Sequence, residues 1–272
     1  MLRPTLTLFL IGAKCPFHCI YCDLGDAMID GTTPPGSLPE QIRRGIATAD
    51  TPCATVKLYN ASNFFEKRAV PIADDLAIAE LVSDFERVVV ECHPRLIGER
   101  MERFADSLSG TLEVAMGLET IHPDALPQLQ KSMSLDDYDR AAERIEMHGC
   151  SHRAFVLIGA PFVPPASSLE WTIKTARYAA ERGARLISLI PLRPRAGSTV
   201  AMQAPSLTEV ERSLEGALQA APDSIVQVDP WDLAVLSACP NCRAARQHRI
   251  VQMNLSGFIP APIACPDCVA SG

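Results

Sequence analysis

Six short apolar runs recur between Leu6 and Ile190, and a longer stretch with helical periodicity follows each of them. The runs are Leu6–Ile11, Thr55–Tyr59, Arg87–Glu91, Leu112–Leu118, Ala154–Ile158 and Arg185–Ile190. A strand that reaches its neighbour through a helix runs parallel to it, so this order predicts an α/β fold with helices packed over a parallel sheet. Eight such units close a complete barrel, and six leave it open, which predicts a partial (β/α)6 TIM-like barrel. The first run alternates as Thr5–Leu6–Thr7–Leu8, the pattern of a half-covered strand. Helix starts are marked where Ser precedes Glu or Asp by three residues, at Ser37/Glu40, Ser134/Asp137, Ser167/Glu170 and Ser206/Glu209. That spacing lets the two side chains satisfy orphan amides of a first turn. Periodicity fades after about residue 222, which divides the chain into a barrel over 1–222 and a small C-terminal module over 223–272.

The chain has 272 residues, 47% of them hydrophobic, so it can bury a substantial core without covalent staples. Its net charge of -7 excludes a uniformly basic nucleic-acid-binding protein but not a local basic patch. No apolar stretch reaches the roughly 18 residues that span a bilayer. The N-terminal apolar run lacks a small-x-small cleavage pattern, and Lys14 stands where a small residue would precede Cys15. The expectation is a cytoplasmic protein without a membrane partner. In that setting ten cysteines point to metal ligands rather than disulfides. They fall into groups: Cys15, Cys19 and Cys22, then Cys239, Cys242, Cys265 and Cys268. Cys53, Cys92 and Cys150 stand alone and read as buried packing residues.

The segment Lys14–Cys15–Pro16–Phe17–His18–Cys19–Ile20–Tyr21–Cys22–Asp23 follows the first strand directly. Three thiolates spaced C-x3-C-x2-C can hold three irons of a 4Fe–4S cluster, leaving the fourth iron open to a small chelating molecule. A zinc site that adds His18, or a C-x2-C redox pair, is the alternative. Ligands crowded on one short loop suit a tetrahedron less well, and the C-terminal rim of parallel strands is where barrels keep their chemistry.

This segment closely resembles the signature of radical S-adenosylmethionine (SAM) enzymes. The resemblance implies that Cys15, Cys19 and Cys22 hold a 4Fe–4S cluster, that SAM binds the open iron, and that an external flavodoxin- or ferredoxin-like donor supplies the electron. Phe17 and Tyr21 would shield cluster and adenine, with Tyr21 at the family's aromatic position before the last cysteine. After the second strand, Asn60, Ala61 and Ser62 occupy the place of the family's motif for the SAM amino group; a turn with local Asn and Ser bonds is the alternative. Glu119, ending the fourth strand, matches an acidic residue that contacts SAM in related enzymes. Glu91, ending the third, would bind ribose or a cationic substrate group, or else pair with Arg95 or Arg153. His93 reads as a hydrogen-bonded loop residue. Arg193 or Arg195 could clamp a carboxylate or phosphate. Further motifs are Lys57–Leu58–Tyr59–Asn60, Val90–Glu91–Cys92–His93–Pro94, Gly117–Leu118–Glu119, Ser188–Leu189–Ile190–Pro191 and Trp231–Asp232–Leu233. In these the chain is similar to the branch with the elongator catalytic subunit and the methylthiolating tRNA enzymes, especially the archaeosine-synthase radical SAM subunit and its bacterial relatives. That similarity implies a modified nucleoside, in tRNA, as the substrate.

Cys239–Pro240–Asn241–Cys242 and Cys265–Pro266–Asp267–Cys268 are matched C-P-x-C pairs separated by 22 residues. Together they offer four thiolates to a tetrahedral metal, first of all Zn2+, or to a second cluster. The segment between them is long enough for a hairpin or helix and carries Arg243, Arg246, His248 and Arg249, a basic knuckle suited to phosphates or single-stranded RNA. Other readings are a radical SAM enzyme on a small molecule, a zinc-stabilised RNA-binding protein and an iron–sulfur electron carrier.

Overall fold

The computed structural model describes residues 4–194 and 200–269. Its strands are β1 Thr5–Phe9, β2 Thr55–Tyr59, β3 Arg87–Glu91, β4 Thr111–Glu119, β5 Ser151–Ile158, β6 Leu186–Pro191 and β7 Ile225–Val228. They form one sheet in the order β1-β2-β3-β4-β5-β6-β7. The β1–β2, β2–β3, β3–β4 and β6–β7 pairings are parallel. This is the α/β partial TIM-barrel class that the strand–helix alternation predicts, with one strand more than the six expected. The seventh, Ile-Val-Gln-Val, is too short to display a period and lies where helical periodicity has faded. β2 and β3 fall on their expected residues, whereas β1 stops at Phe9 and β5 starts earlier, at Ser151.

The helices are α1 Ser37–Ala47, α2 Asp75–Leu81, α3 Glu99–Ser107, α4 Ala125–Gln128, α5 Leu135–Met147, α6 Ser168–Glu181, α7 Leu207–Ala220, α8 Arg243–Ser256 and α9 Pro266–Val269. Two of the four expected capping pairs form: Ser134 with Asp137 and Ser206 with Glu209 exchange bonds in full capping boxes. Ser37 and Ser167 do otherwise. Their hydroxyls donate to the carbonyls of Pro34 and Pro164, three residues back, so the proline turns before α1 and α6 take the side chains the caps would have used. Among the described residues no helix is long and apolar enough to cross a membrane.

The chain divides into two compact units, Met1–Gly117 with Ser132–Arg153, and Leu118–Lys131 with Ala154–Gly272. In the first, Leu8, Val56, Leu58, Val88, Val90, Val114 and Met116 of the strands are buried together with Leu38, Ile42, Ile78, Met101, Phe104, Tyr138 and Ile145 of the helices. β2 alternates strictly, burying Val56 and Leu58 and leaving Thr55, Lys57 and Tyr59 half-buried on its other face. In the second unit, α7 buries Leu207, Val210, Leu214 and Ala217, a single helical stripe, and α8 buries Ile250 and Met253. Gly216 of α7 lies so near Ile173 of α6 that a Cβ would overlap its side chain, which lets these two helices approach closely.

Candidate functional site

The cysteine loop leaves β1 and is pinned at its base. Ala13 bridges Ile29, Lys14 N donates to Ile29 O at 3.1 Å, and Ile29 N returns a bond to Gly12 O at 3.0 Å. Fully buried Thr33 accepts from Ala13 N at 2.8 Å and donates to Ala69 O at 2.7 Å, tying the same base to the chain beyond β2. Cys15, Cys19 and Cys22 lie outside any disulfide, each half-buried, and a turn from Cys22 N to Cys19 O (3.1 Å) folds the last two back. Tyr21 is half-buried and His18 exposed.

The ends of β2 and β3, the next strands in the sheet, close around this loop. Asn63 Nδ2 donates to Cys15 Sγ at 3.1 Å, while Asn63 Oδ1 accepts from His93 N at 2.6 Å. The His93 ring stacks on Phe17 with centroids 3.8 Å apart and planes at 15°. His93 Nδ1 accepts from Arg95 N, which fixes the ring. His93 is thus the hydrogen-bonded loop residue its sequence context suggests, and it also steadies the cysteine loop. Asn63 is the contact that reasoning from sequence missed. It stands in the same polar run as Asn60–Ser62, but nothing in the run distinguishes which side chain reaches a thiol 48 residues earlier.

Asn60, Ala61 and Ser62 form the turn after β2. Ala61 has φ 48°, a left-handed value unusual for a residue with a Cβ. The turn aims the Asn60 and Ala61 amides at the Glu91 carboxylate, yet loss of water raises that carboxyl's pKa to about 7. Arg153 is not its ion-pair partner: the guanidinium binds fully buried Glu113, Nε to Oε1 at 2.5 Å, and Arg95 donates to Ser132 O. Asn60 Nδ2 and Oδ1 and Ser62 Oγ are buried with no hydrogen-bond partner. Buried polar atoms left unmet cost about 1–3 kcal/mol each. Three of them on one turn fit a ligand that brings both donors and acceptors, as an amino acid ammonium and carboxylate do. These residues therefore fit SAM. Cys92, which follows Glu91, is buried with its thiol pushed up to about 12 by loss of water, and is inert packing. Cys53 and Cys150 are only half-buried, against expectation, because each lies in a loop at an element's edge.

In the second unit Glu119 ends β4 with φ 66°, is buried, and pairs with Lys131 Nζ at 2.9 Å. Arg193 binds Asp232 at 3.0 Å and Asp229 at 3.5 Å and lies 5.9 Å from the Trp231 ring centroid. Its guanidinium fork is therefore held by two carboxylates of the chain itself. Arg195 lies outside the described residues.

The C-terminal pairs meet. The sulfurs of Cys239, Cys242, Cys265 and Cys268 all lie within 4.8 Å of one another, with Cys239–Cys265 at 3.8 Å and Cys242–Cys268 at 3.6 Å. Metal–sulfur bonds of about 2.3 Å in a tetrahedron place sulfurs about 3.8 Å apart. Each knuckle repeats one turn, Cys242 N to Cys239 O and Cys268 N to Cys265 O, and Asn241 and Asp267, the variable residues of the two motifs, are joined at 2.6 Å. Behind the sulfurs Arg246 Nε donates to Cys242 Sγ at 3.2 Å and pairs with buried Glu211 of α7. Arg249 binds Glu211 at 3.1 Å and Glu215 at 2.9 Å. Arg243 donates to the Ala234 and Leu236 carbonyls. Half of the basic knuckle is turned inward: Arg246 and Arg249 are buried, Arg243 is half-buried and His248 stays exposed. The three arginines stitch α8 to its surroundings.

No family model matches the chain, and no curated protein matches its sequence. Solved structures do match. Streptococcus suis SuiB bound to S-adenosylmethionine aligns at TM-score 0.62 and 15% identity over 89% of this chain and 52% of that one. The archaeal Methanocaldococcus infernus Elp3 aligns at 0.63 and 12% over 96% and 70%. A radical SAM methyltransferase from Sphaerobacter thermophilus aligns at 0.59 and 15% over 83% and 66%. The chain thus spans about half of SuiB and about two thirds of the other two. At these identities the likeness is one of fold: the chain has the fold found in radical SAM enzymes, with its three-cysteine loop after the first strand.

Proposed function

We propose that the chain is a radical SAM enzyme. The observation that carries this reading is a C-x3-C-x2-C loop held at the C-terminal end of β1 in a sheet of the radical SAM fold. With a 4Fe–4S cluster and SAM bound, one electron from a flavodoxin- or ferredoxin-like donor cleaves SAM to methionine and a 5′-deoxyadenosyl radical that abstracts hydrogen from substrate. Cys15, Cys19 and Cys22 supply the thiolates. Asn60 and Ser62 receive the methionyl end of SAM with atoms that otherwise lie buried and unmet. Phe17, stacked on His93, and half-buried Tyr21 cover the loop against water. For Glu119 and Arg193 a role toward SAM is supported by the sequence resemblance alone, since within their own unit Glu119 is held by Lys131 and Arg193 by Asp229 and Asp232.

The C-terminal cysteines hold one structural zinc, a reading supported by sulfur separations that match a single tetrahedral ion. A modified nucleoside in tRNA is the substrate class that the sequence resemblance supports. A small-molecule substrate is the second reading, favoured by the inward pairing of Arg246 and Arg249, which removes two phosphate contacts from the module. The whole reading places the protein in the cytoplasm, where reduced thiols and electron donors coexist.

The test is anaerobic reconstitution and reduction, then assay of 5′-deoxyadenosine with SAM, with and without total tRNA. Cys19→Ala is expected to lose all product. Product retained by that variant overturns the assignment, and stimulation by tRNA separates the two substrate classes.

A further inference from the structure

Asn63 is built into the cysteine loop in a way that leaves its amide only one orientation. Its Oδ1 accepts from the His93 amide at 2.6 Å, a backbone donor that cannot reverse its role. The Nδ2 hydrogens must then face the other way, and there they meet Cys15 Sγ at 3.1 Å. Asn63 is 4% exposed and so is His93, which keeps water from competing for either bond. The His93 ring is itself fixed between Phe17 and the Arg95 amide, so the backbone donor that orients Asn63 does not wander. The cysteine with which this residue is joined is the first of the three, while Cys19 and Cys22 are shaped by a local turn.

We infer that Asn63 is a positioning residue that sets the reduction potential of the cluster through a side-chain N–H···S bond to Cys15. The inference rests on the radical SAM reading of the loop. An N–H donor withdraws electron density from a thiolate, and it stabilises the more negative, reduced cluster more than the oxidised one. Removing it makes the cluster harder to reduce. Asn63→Asp keeps the size and the acceptor for His93 N but turns a carboxylate oxygen toward the thiolate, so its shift exceeds that of Asn63→Ala.

The test is an EPR-monitored redox titration of anaerobically reconstituted wild type, Asn63→Ala and Asn63→Asp, without SAM. The expected midpoint potentials fall in the order wild type, then Asn63→Ala, then Asn63→Asp as the most negative, at equal iron content. Variants with the wild-type potential overturn the inference and leave the enzyme reading intact. A wild type that holds no reducible cluster overturns the enzyme reading, and the inference with it. If a variant does not retain iron, the wild type itself decides. With asparagine 15N-labelled at the side chain, pulsed EPR of the reduced protein is expected to show a weak nitrogen coupling, and no such coupling means no such bond.

Discussion

Glu91 shows how one residue's surroundings set its chemistry. Its carboxylate receives two backbone amides, which favour the charged form, but loss of water outweighs them and the pKa rises from 4.5 to about 7. A raised acid pKa means the folded protein holds this proton where the unfolded chain has released it. Stability then falls as pH rises from about 4.5 to 7, and is lowest above that window. Glu91→Gln is expected to remove this dependence, worth at most about 3 kcal/mol, so the melting temperatures at pH 5 and pH 8 should converge relative to wild type. An undiminished difference would mean the carboxyl titrates normally. The sequence marks this residue and the polar run Asn60–Ser62 as candidates because the one ends a predicted strand and the other follows one. It did not mark the left-handed turn at Ala61, Lys131 beside Glu119, or Asn63 beside Cys15. Those depend on which strand ends and loops lie next to each other, and no local pattern records that.

Elements were read well where their signals are local. β2, β3 and the capping boxes of α5 and α7 follow from alternation and from Ser three residues before an acid. The expected caps of α1 and α6 do not form because Ser37 and Ser167 each follow a proline turn that claims the hydroxyl. From sequence α8 is only a hairpin or helix, and its arginines suit phosphates or single-stranded RNA. Arg246 and Arg249 are three residues apart and Glu211 and Glu215 four apart, matching stripes on two helices, but the match appears only once α7 and α8 are known to adjoin. Glu211 compensates both buried guanidinium groups. Glu211→Gln is expected to cost about 3 kcal/mol, the low end for breaking a buried pair because Arg249 keeps Glu215. Chemical denaturation should show it as a lower midpoint at unchanged slope, and a loss below about 0.5 kcal/mol would show the network to be dispensable.

For the whole molecule, the zinc proposed at the C-terminal cysteines would act as part of the fold, since four thiolates from two distant knuckles do not stay together uncompensated. Aerobically purified protein is expected to carry one zinc per chain there, and removal by a strong chelator should lower the melting temperature by about 10 °C. An unchanged melting curve after complete zinc loss would reduce the site to a surface ornament. The order of strands and helices, and with it the partial barrel, is written locally in periodicity and caps, and the two cysteine groups are written in spacing. Both kinds of signal survive in one dimension because they depend on near neighbours along the chain. The seventh strand, the Asn63 contact, the inward arginines and the 3.6–3.8 Å meeting of the cysteine pairs were decided only by tertiary structure. Each joins residues far apart in sequence, and their encounter is set by how parallel strands and their covering helices pack.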